Sequence, residues 1–115
     1  MHQDPNCIFC KIVDGRIPSK KVYEDAELLV FHDIHPWAPV HVLIIPKEHI
    51  ATHYEVRPEH DALLGRMLAL APRLMRELGV VNGFRTLINT GEDGRQEVQH
   101  LHMHVMGGPR PWARG

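Results

Sequence analysis

Residues 100 to 106 read His-Leu-His-Met-His-Val-Met. In an extended chain successive side chains point to opposite faces, so His100, His102 and His104 share one face and Leu101, Met103 and Val105 the other. The apolar face belongs to a core, while the other carries imidazoles roughly 6.5–7 Å apart. A neutral imidazole is a nucleophile near pH 7, and its neighbours can orient it, bind an oxyanion or protonate a leaving group. Attack on phosphorus needs donors or positive charge around the equatorial oxygens. The loop Gly91 to Gly94, just ahead of the row, has amides able to hold an anion. A solvated histidine face is the plain alternative, but Thr, Lys or Glu would serve a solvated strand better. The row reads as a site.

Cys7-x-x-Cys10 is the second group with chemistry. A redox pair would follow a strand and open a helix in a βαβ unit, whereas only a short polar stretch precedes Cys7. Two buried thiols are the structural alternative. Zinc asks for about four nitrogen or sulfur ligands in a tetrahedron, so two more would have to come from elsewhere.

The elements that must position these groups follow from the pattern. Cys7 to Val13 predicts a turn or two of helix, ended by Asp14-Gly15, and Ile17-Pro18 forces an extended chain. Lys21 to Glu24 and Leu28 to His32 are β-rich runs around a hairpin at Asp25-Ala26-Glu27. Pro36 to Pro39 breaks the chain, and Val40 to Pro46 is a buried strand stopped by proline. Arg57-Pro58 opens the one long helix, whose apolar stripe from Leu63 to Leu78 ends at Gly79. Pro72 lies inside that stripe and predicts a kink. Phe84 to Asn89 is a strand, Thr90 to Glu97 a loop, and Gln99 to Met106 the last strand. With one long helix, a short N-terminal helix and tight connections, the expected class is α+β around a mostly antiparallel five-stranded sheet.

Composition narrows the function. A chain of 115 residues predicts one domain, 1–115, and 43% hydrophobic with 23% charged residues is the balance of an ordinary soluble globular protein. The net charge of −1 gives no basic footprint for nucleic acid. Met1 to Pro5 reads as a polar tail rather than a signal peptide, and no apolar run approaches the roughly 20 residues of a membrane span. Two cysteines are too few for a disulfide scaffold. The expected setting is the cytoplasm, with no nucleic-acid or membrane partner.

The run His100 to Met106 followed by Gly107-Gly108 resembles the defining motif of the histidine-triad (HIT) superfamily, in its small Hint-like branch. The resemblance extends over nearly the whole chain. Ile8-Phe9-Cys10-Lys11-Ile12, Ile17-Pro18, Phe31-His32-Asp33-Ile34, Ala38-Pro39, Pro46-Lys47-Glu48-His49-Ile50, Asn89 and Gly94-Arg95-Gln96-Glu97-Val98 are similar to Hint-like blocks in the same places.

The resemblance implies a HIT-like fold and a nucleotide-binding hydrolase of nucleoside 5′-phosphoramidates or acyl-nucleotides. It makes His102 the nucleophile that forms a nucleotidyl-histidine intermediate, and His104 the contact to phosphate and leaving group. Asp33 would accept the ribose hydroxyls, and Ile8, Phe9, Ile17, Phe31 and Ile34 would line an apolar pocket for a purine base. Asn89, Gln96 and Val98 would hold phosphate and sugar. Core packing for the isoleucines and Phe31, and turn or cap roles for Asp33 and Asn89, are the structural alternatives. By the same resemblance, His49 and His100 complete a zinc site with Cys7 and Cys10, structural rather than catalytic, and the protein is a homodimer joined through the long helix and a neighbouring strand. A dinucleoside polyphosphate hydrolase of the Fhit-like kind, or a nucleotide-binding interaction module with vestigial turnover, are the competing functions. Glu97 stands where several Hint-like proteins carry serine, so the acid for the leaving group is open, and Gln99 replaces a frequent aromatic residue.

Overall fold

Two strands that are apolar but for His32 and His41, Leu28–His32 (β2) and Val40–Pro46 (β3), lie side by side inside the sheet and explain its two-sided burial. Alternation sends Leu28, Val30, Val42 and Ile44 to one face and Leu29, Phe31, Leu43 and Ile45 to the other. A strand covered on both faces reads as a continuous apolar run. The coordinates are a computed structural model and describe residues 3–113, so the extreme ends of the expected 1–115 domain, Met1 of the expected polar tail included, lie outside the described residues.

The elements run Ile8–Val13 (α1), Lys21–Glu24 (β1), β2, β3, Asp61–Glu77 (α2), Phe84–Leu87 (β4) and Met103–Gly107 (β5). Short 3-10 turns at His53–Glu55 and Pro58–His60 precede α2. The sheet has the order β1-β2-β3-β5-β4, with every pairing antiparallel. The α+β architecture expected from the sequence is the one observed. Helix α2 covers one face through Leu63, Met67, Leu70, Ala71, Leu74 and Met75, which pack with Leu101, Met103 and Val105. Helix α1 covers part of the other through Phe9, Cys10 and Ile12.

Three boundaries differ from expectation by two residues or more, each for a local reason. The helix begins at Asp61, because the Arg57-Pro58 start forms a 3-10 turn in which His60 Nδ1 accepts the Arg57 N–H. It then runs through Pro72 to Glu77. Proline removes the bond to the Leu68 carbonyl, and Leu68 lies on the exposed side, where water can replace it. Gly79, with φ +84, supplies the left-handed residue that ends the helix.

The last strand starts at Met103 rather than Gln99, and β4 stops at Leu87 rather than Asn89. The ladder of β3 with β5 ends at Ile44 opposite Met103. Beyond it Pro46 has no N–H to give, and the preceding segment bonds elsewhere: Leu101 N–H donates to the Ile50 carbonyl at 2.6 Å. The histidine face still alternates with the apolar one, but only His104 lies in the regular strand. The imidazoles are not solvated, since His100, His102 and His104 are all buried. Among the described residues no helix is long and apolar enough to cross a membrane.

Candidate functional site

His102 is held by its own neighbour. Its Nδ1–H donates to the carbonyl oxygen of His100 at 2.6 Å, which leaves the Nε2 lone pair unprotonated. Burial pulls its pKa below the ordinary imidazole range, against the opposing pull of that hydrogen bond and of Asp33 and Glu97. The ring of Phe9 stands edge-on to His102 with centroids 5.2 Å apart. His104 follows on β5, its ring centroid 5.1 Å from that of His102. On the far side of His104, its Nδ1 lies 2.8 Å from Nε2 of His41, a buried residue of β3.

His102 and His104 form part of the wall of a cavity of about 1350 Å³. One side is apolar and comes from α1 and the segment after it, through Ile8, Phe9 and Ile17. The wall continues through Phe31, whose ring meets that of Phe9 with centroids 5.5 Å apart, and through Asp33, Ile34 and Trp37, from the end of β2 and the turn into β3. Asn89, Arg95, Glu97 and Val98 close it from the loop ahead of the histidines. That loop is tightly folded: a Cβ on Gly94 would sit 2.3 Å from the Thr90 carbonyl oxygen, so only glycine fits. Arg95 beside it is the one described non-glycine residue with positive φ, at 62°.

The second cluster lies behind His102. Cys7 caps α1, its Sγ accepting the Cys10 N–H at 3.2 Å, so the spacing of the pair is that of one helical turn. His100 Nε2–H donates to the Pro46 carbonyl at 2.8 Å, and its Nδ1 therefore presents a lone pair to the thiols. That Nδ1 is 3.2 Å from Cys7 Sγ, 3.6 Å from Cys10 Sγ and 3.3 Å from His49 Nδ1, while Cys10 Sγ to His49 Nδ1 is 3.4 Å. Around one zinc, bond lengths of about 2.0–2.3 Å place tetrahedral ligands roughly 3.3–3.8 Å from one another. The four donor atoms lie within 4.8 Å of one another. This donor set fits a single tetrahedral cation. Burial pushes the Cys10 thiol up to about 11 and His100 down to about 4; a cation reverses the first and needs the second. Asp4 stands 3.8 Å from His49 Nε2, where an outer carboxylate would orient the ring.

Residues 6–112 match the family described as scavenger mRNA decapping enzyme C-term binding. The chain is 52% identical over 104 residues to Protein HitA of Neisseria gonorrhoeae, covering 90% of this chain and 97% of that one. The chain belongs to the histidine-triad family. To this HIT chain the purine nucleoside phosphoramidase of Escherichia coli K12 is 45% identical over 102 residues, 88% of this chain and 86% of the relative. Among solved structures, a HIT family hydrolase from Legionella pneumophila superposes with a TM-score of 0.89 at 45% identity, covering 96% of this chain and all 100% of that one. A zinc-bound histidine triad family protein from Mycobacterium smegmatis does so with a TM-score of 0.80 at 34% identity, covering 91% of this chain and 76% of that one.

The HIT fold gathers most of the residues singled out from the sequence. Ile8, Phe9, Ile17, Phe31, Asp33, Ile34, Asn89, Val98, His102 and His104 share the cavity wall, and Cys7, Cys10, His49 and His100 share the second cluster. Gln96 is not brought to the wall. It is buried, its side-chain oxygen accepting the Gly91 N–H and its amide donating to the carbonyls of Ala51 and Val98, so it braces the loop from behind. Asn89 also braces, donating to the Gly94 carbonyl at 2.7 Å, from a position on the wall. Sequence reading overlooked His41, Trp37 and Arg95. The signal for His41 was present: a single imidazole inside an otherwise apolar strand requires a buried partner.

Proposed function

We propose that this HIT protein hydrolyses purine nucleoside 5′-phosphoramidates through a nucleotide covalently held on His102. The observation that carries the reading is the His102 Nδ1–H bond to the His100 carbonyl, because it aims an unprotonated Nε2 at a nucleotide-sized cavity. Nε2 attacks the α-phosphorus, the P–N bond breaks, and the amine departs with a proton taken from the site or from water. Water then attacks the same phosphorus, the bond to Nε2 breaks, and nucleoside monophosphate is released. The likeness to the Escherichia coli phosphoramidase supports the substrate class.

In this reading the base lies against Ile8, Phe9, Ile17, Phe31 and Ile34. Two of these, Ile8 at 48% and Ile34 at 85%, are apolar side chains left exposed at the cavity, as a slot awaiting an apolar ring requires. Asp33 takes the ribose hydroxyls, Asn89 and Val98 face sugar and phosphate, and His104 donates to a phosphate oxygen. The cavity exceeds the roughly 300–1,000 Å³ of pockets for drug-sized ligands, leaving room for the leaving group. Zinc fits the Cys7, Cys10, His49, His100 cluster, where it would tie α1 to the histidine segment without touching substrate. We also assign the working form to a homodimer, supported by the unpaired edge of β4 and the exposed Leu68, Val81, Phe84 and Leu87.

The test is turnover of adenosine 5′-phosphoramidate against that of diadenosine polyphosphate, with denaturing alkaline quench and mass spectrometry to locate the adduct. Release of AMP with the nucleotidyl group on His102 is the expected result. Cleavage of the dinucleotide alone, or an adduct elsewhere, would overturn the reading.

A further inference from the structure

We propose that Trp37 is the positioning residue of His104, fixing both the site of its proton and the plane of its ring. The inference rests on the proposed reaction only for what His104 donates to. Trp37 lies in the turn between β2 and β3, and its backbone N–H donates to His41 Nδ1 at 3.0 Å. An imidazole nitrogen that accepts carries no proton, so His41 holds its proton on Nε2. That Nε2–H lies 2.8 Å from His104 Nδ1, which must then be the acceptor. His104 is left with its proton on Nε2.

The alternatives fail on the same geometry. A doubly protonated His41 would set its Nδ1–H against the Trp37 N–H, and a doubly protonated His104 would set Nδ1–H against the His41 proton. The Asp33 carboxylate, 3.5 Å from His41 Nε2, favours the same placement. Burial also lowers the pKa of His41, with Asp33 opposing. The Trp37 ring supplies the second constraint. It stacks on His104 with centroids 4.9 Å apart and planes 16° from parallel, so the Nε2–H has one direction. Trp37 is itself tied down, its carbonyl accepting the Ala113 N–H at 2.8 Å. Beside Ala113, Trp112 donates to the Gly108 carbonyl and lies under the Arg85 guanidinium.

A functional consequence follows. His104 can stabilise charge by a hydrogen bond but cannot surrender its proton, because the relay behind it ends in a backbone amide that has none to give. The proton for the departing amine therefore comes from another group of the cavity or from water.

The experiment uses the full-length, zinc-loaded protein. In the wild type without nucleotide, ring nitrogen-15 shifts of His41 and His104 should show both neutral and both protonated on Nε2. Trp37→Leu keeps the amide and removes the ring: kcat on adenosine 5′-phosphoramidate should fall about tenfold or more while KM moves less than about threefold, and Trp37→Phe should recover most of the loss. A proton on His104 Nδ1, a doubly protonated His41, wild-type kcat in Trp37→Leu, or no recovery by phenylalanine would overturn the proposal. The tautomer measurement needs neither variant nor substrate. A wild type that fails to turn over phosphoramidates therefore sinks the reaction and leaves the proton assignment to be judged on its own.

Discussion

His102 donates to the carbonyl of His100 at 2.6 Å, while the ring of that same His100 faces Cys7 Sγ at 3.2 Å. One residue thus serves the nucleophile with its backbone and the thiol cluster with its side chain. Whatever fixes the ring of His100 also fixes the acceptor that selects the His102 tautomer. The two sites are mechanically one.

That coupling makes metal removal informative. Purified protein should contain about one zinc per chain, and Cys7→Ser should lose it. The thermal midpoint should drop together with the metal. Turnover should fall by roughly 10–100-fold, the range seen when the support of a ligand is lost, although no substrate atom touches the cluster. Elemental analysis, melting and initial rates on the same samples check this. A zinc-free wild type of full activity, or a disulfide between Cys7 and Cys10, would contradict it.

The edge strand makes a second prediction. Every residue of β4 is exposed, Val81 and Phe84 present apolar surface at its start, and Leu68 of α2 is exposed as well. Light scattering at micromolar concentration should give twice the chain mass. Val81→Glu together with Phe84→Glu should yield monomer, because burying a carboxylate at an apolar contact is costly. A wild-type mass of one chain would reject the dimer.

Acid stability has a nameable source away from the site. Burial raises Asp25, but the N–H groups of Glu27 and Leu28, the Tyr23 hydroxyl and the nearby Arg66 outweigh it and bring the carboxyl down to about 2. A depressed carboxyl stabilises the fold above its unfolded value of 3.8, and the contribution is lost as pH falls from there towards 2. Solvent screens the partly exposed side chain, so the contribution is on the order of 1 kcal/mol. Asp25→Asn should therefore lower the urea midpoint at pH 7 and lose that difference near pH 2. An equal deficit at both pH values would point to shape rather than charge.

What was legible in the sequence was what neighbouring residues decide. Alternation from Leu101 to Val105 separates core from site, and Gly79 ends α2, by rules of local backbone geometry. What was not legible depends on partners far along the chain. His100 leaves the strand for Pro46, 54 residues away, and His41 meets His104 across 63. Gln96 illustrates the same limit: the family resemblance implied ligand contact, whereas the carbonyl of Ala51, on another segment, takes its amide. A buried proline carbonyl or a distant amide leaves no mark on the residues that use it.

The last prediction concerns the two histidines at the cavity. His102→Ala removes the atom that bonds to phosphorus, while the apolar wall and Asp33 remain. Turnover of adenosine 5′-phosphoramidate should collapse by several orders of magnitude, and AMP affinity should change by less than about tenfold. His104→Ala removes one donor to the transition state, and its loss should be nearer 10²–10³-fold in kcat. The nucleotidyl adduct should be absent from the first variant and present in the second, formed more slowly. Rates, AMP titration and mass spectrometry of quenched samples measure all three. If His102→Ala retained near wild-type turnover, the lone pair at Nε2 would have no part in the chemistry. The tautomer fixed by the His100 carbonyl would then be structural, and the cavity would be read as a binding site rather than an active one.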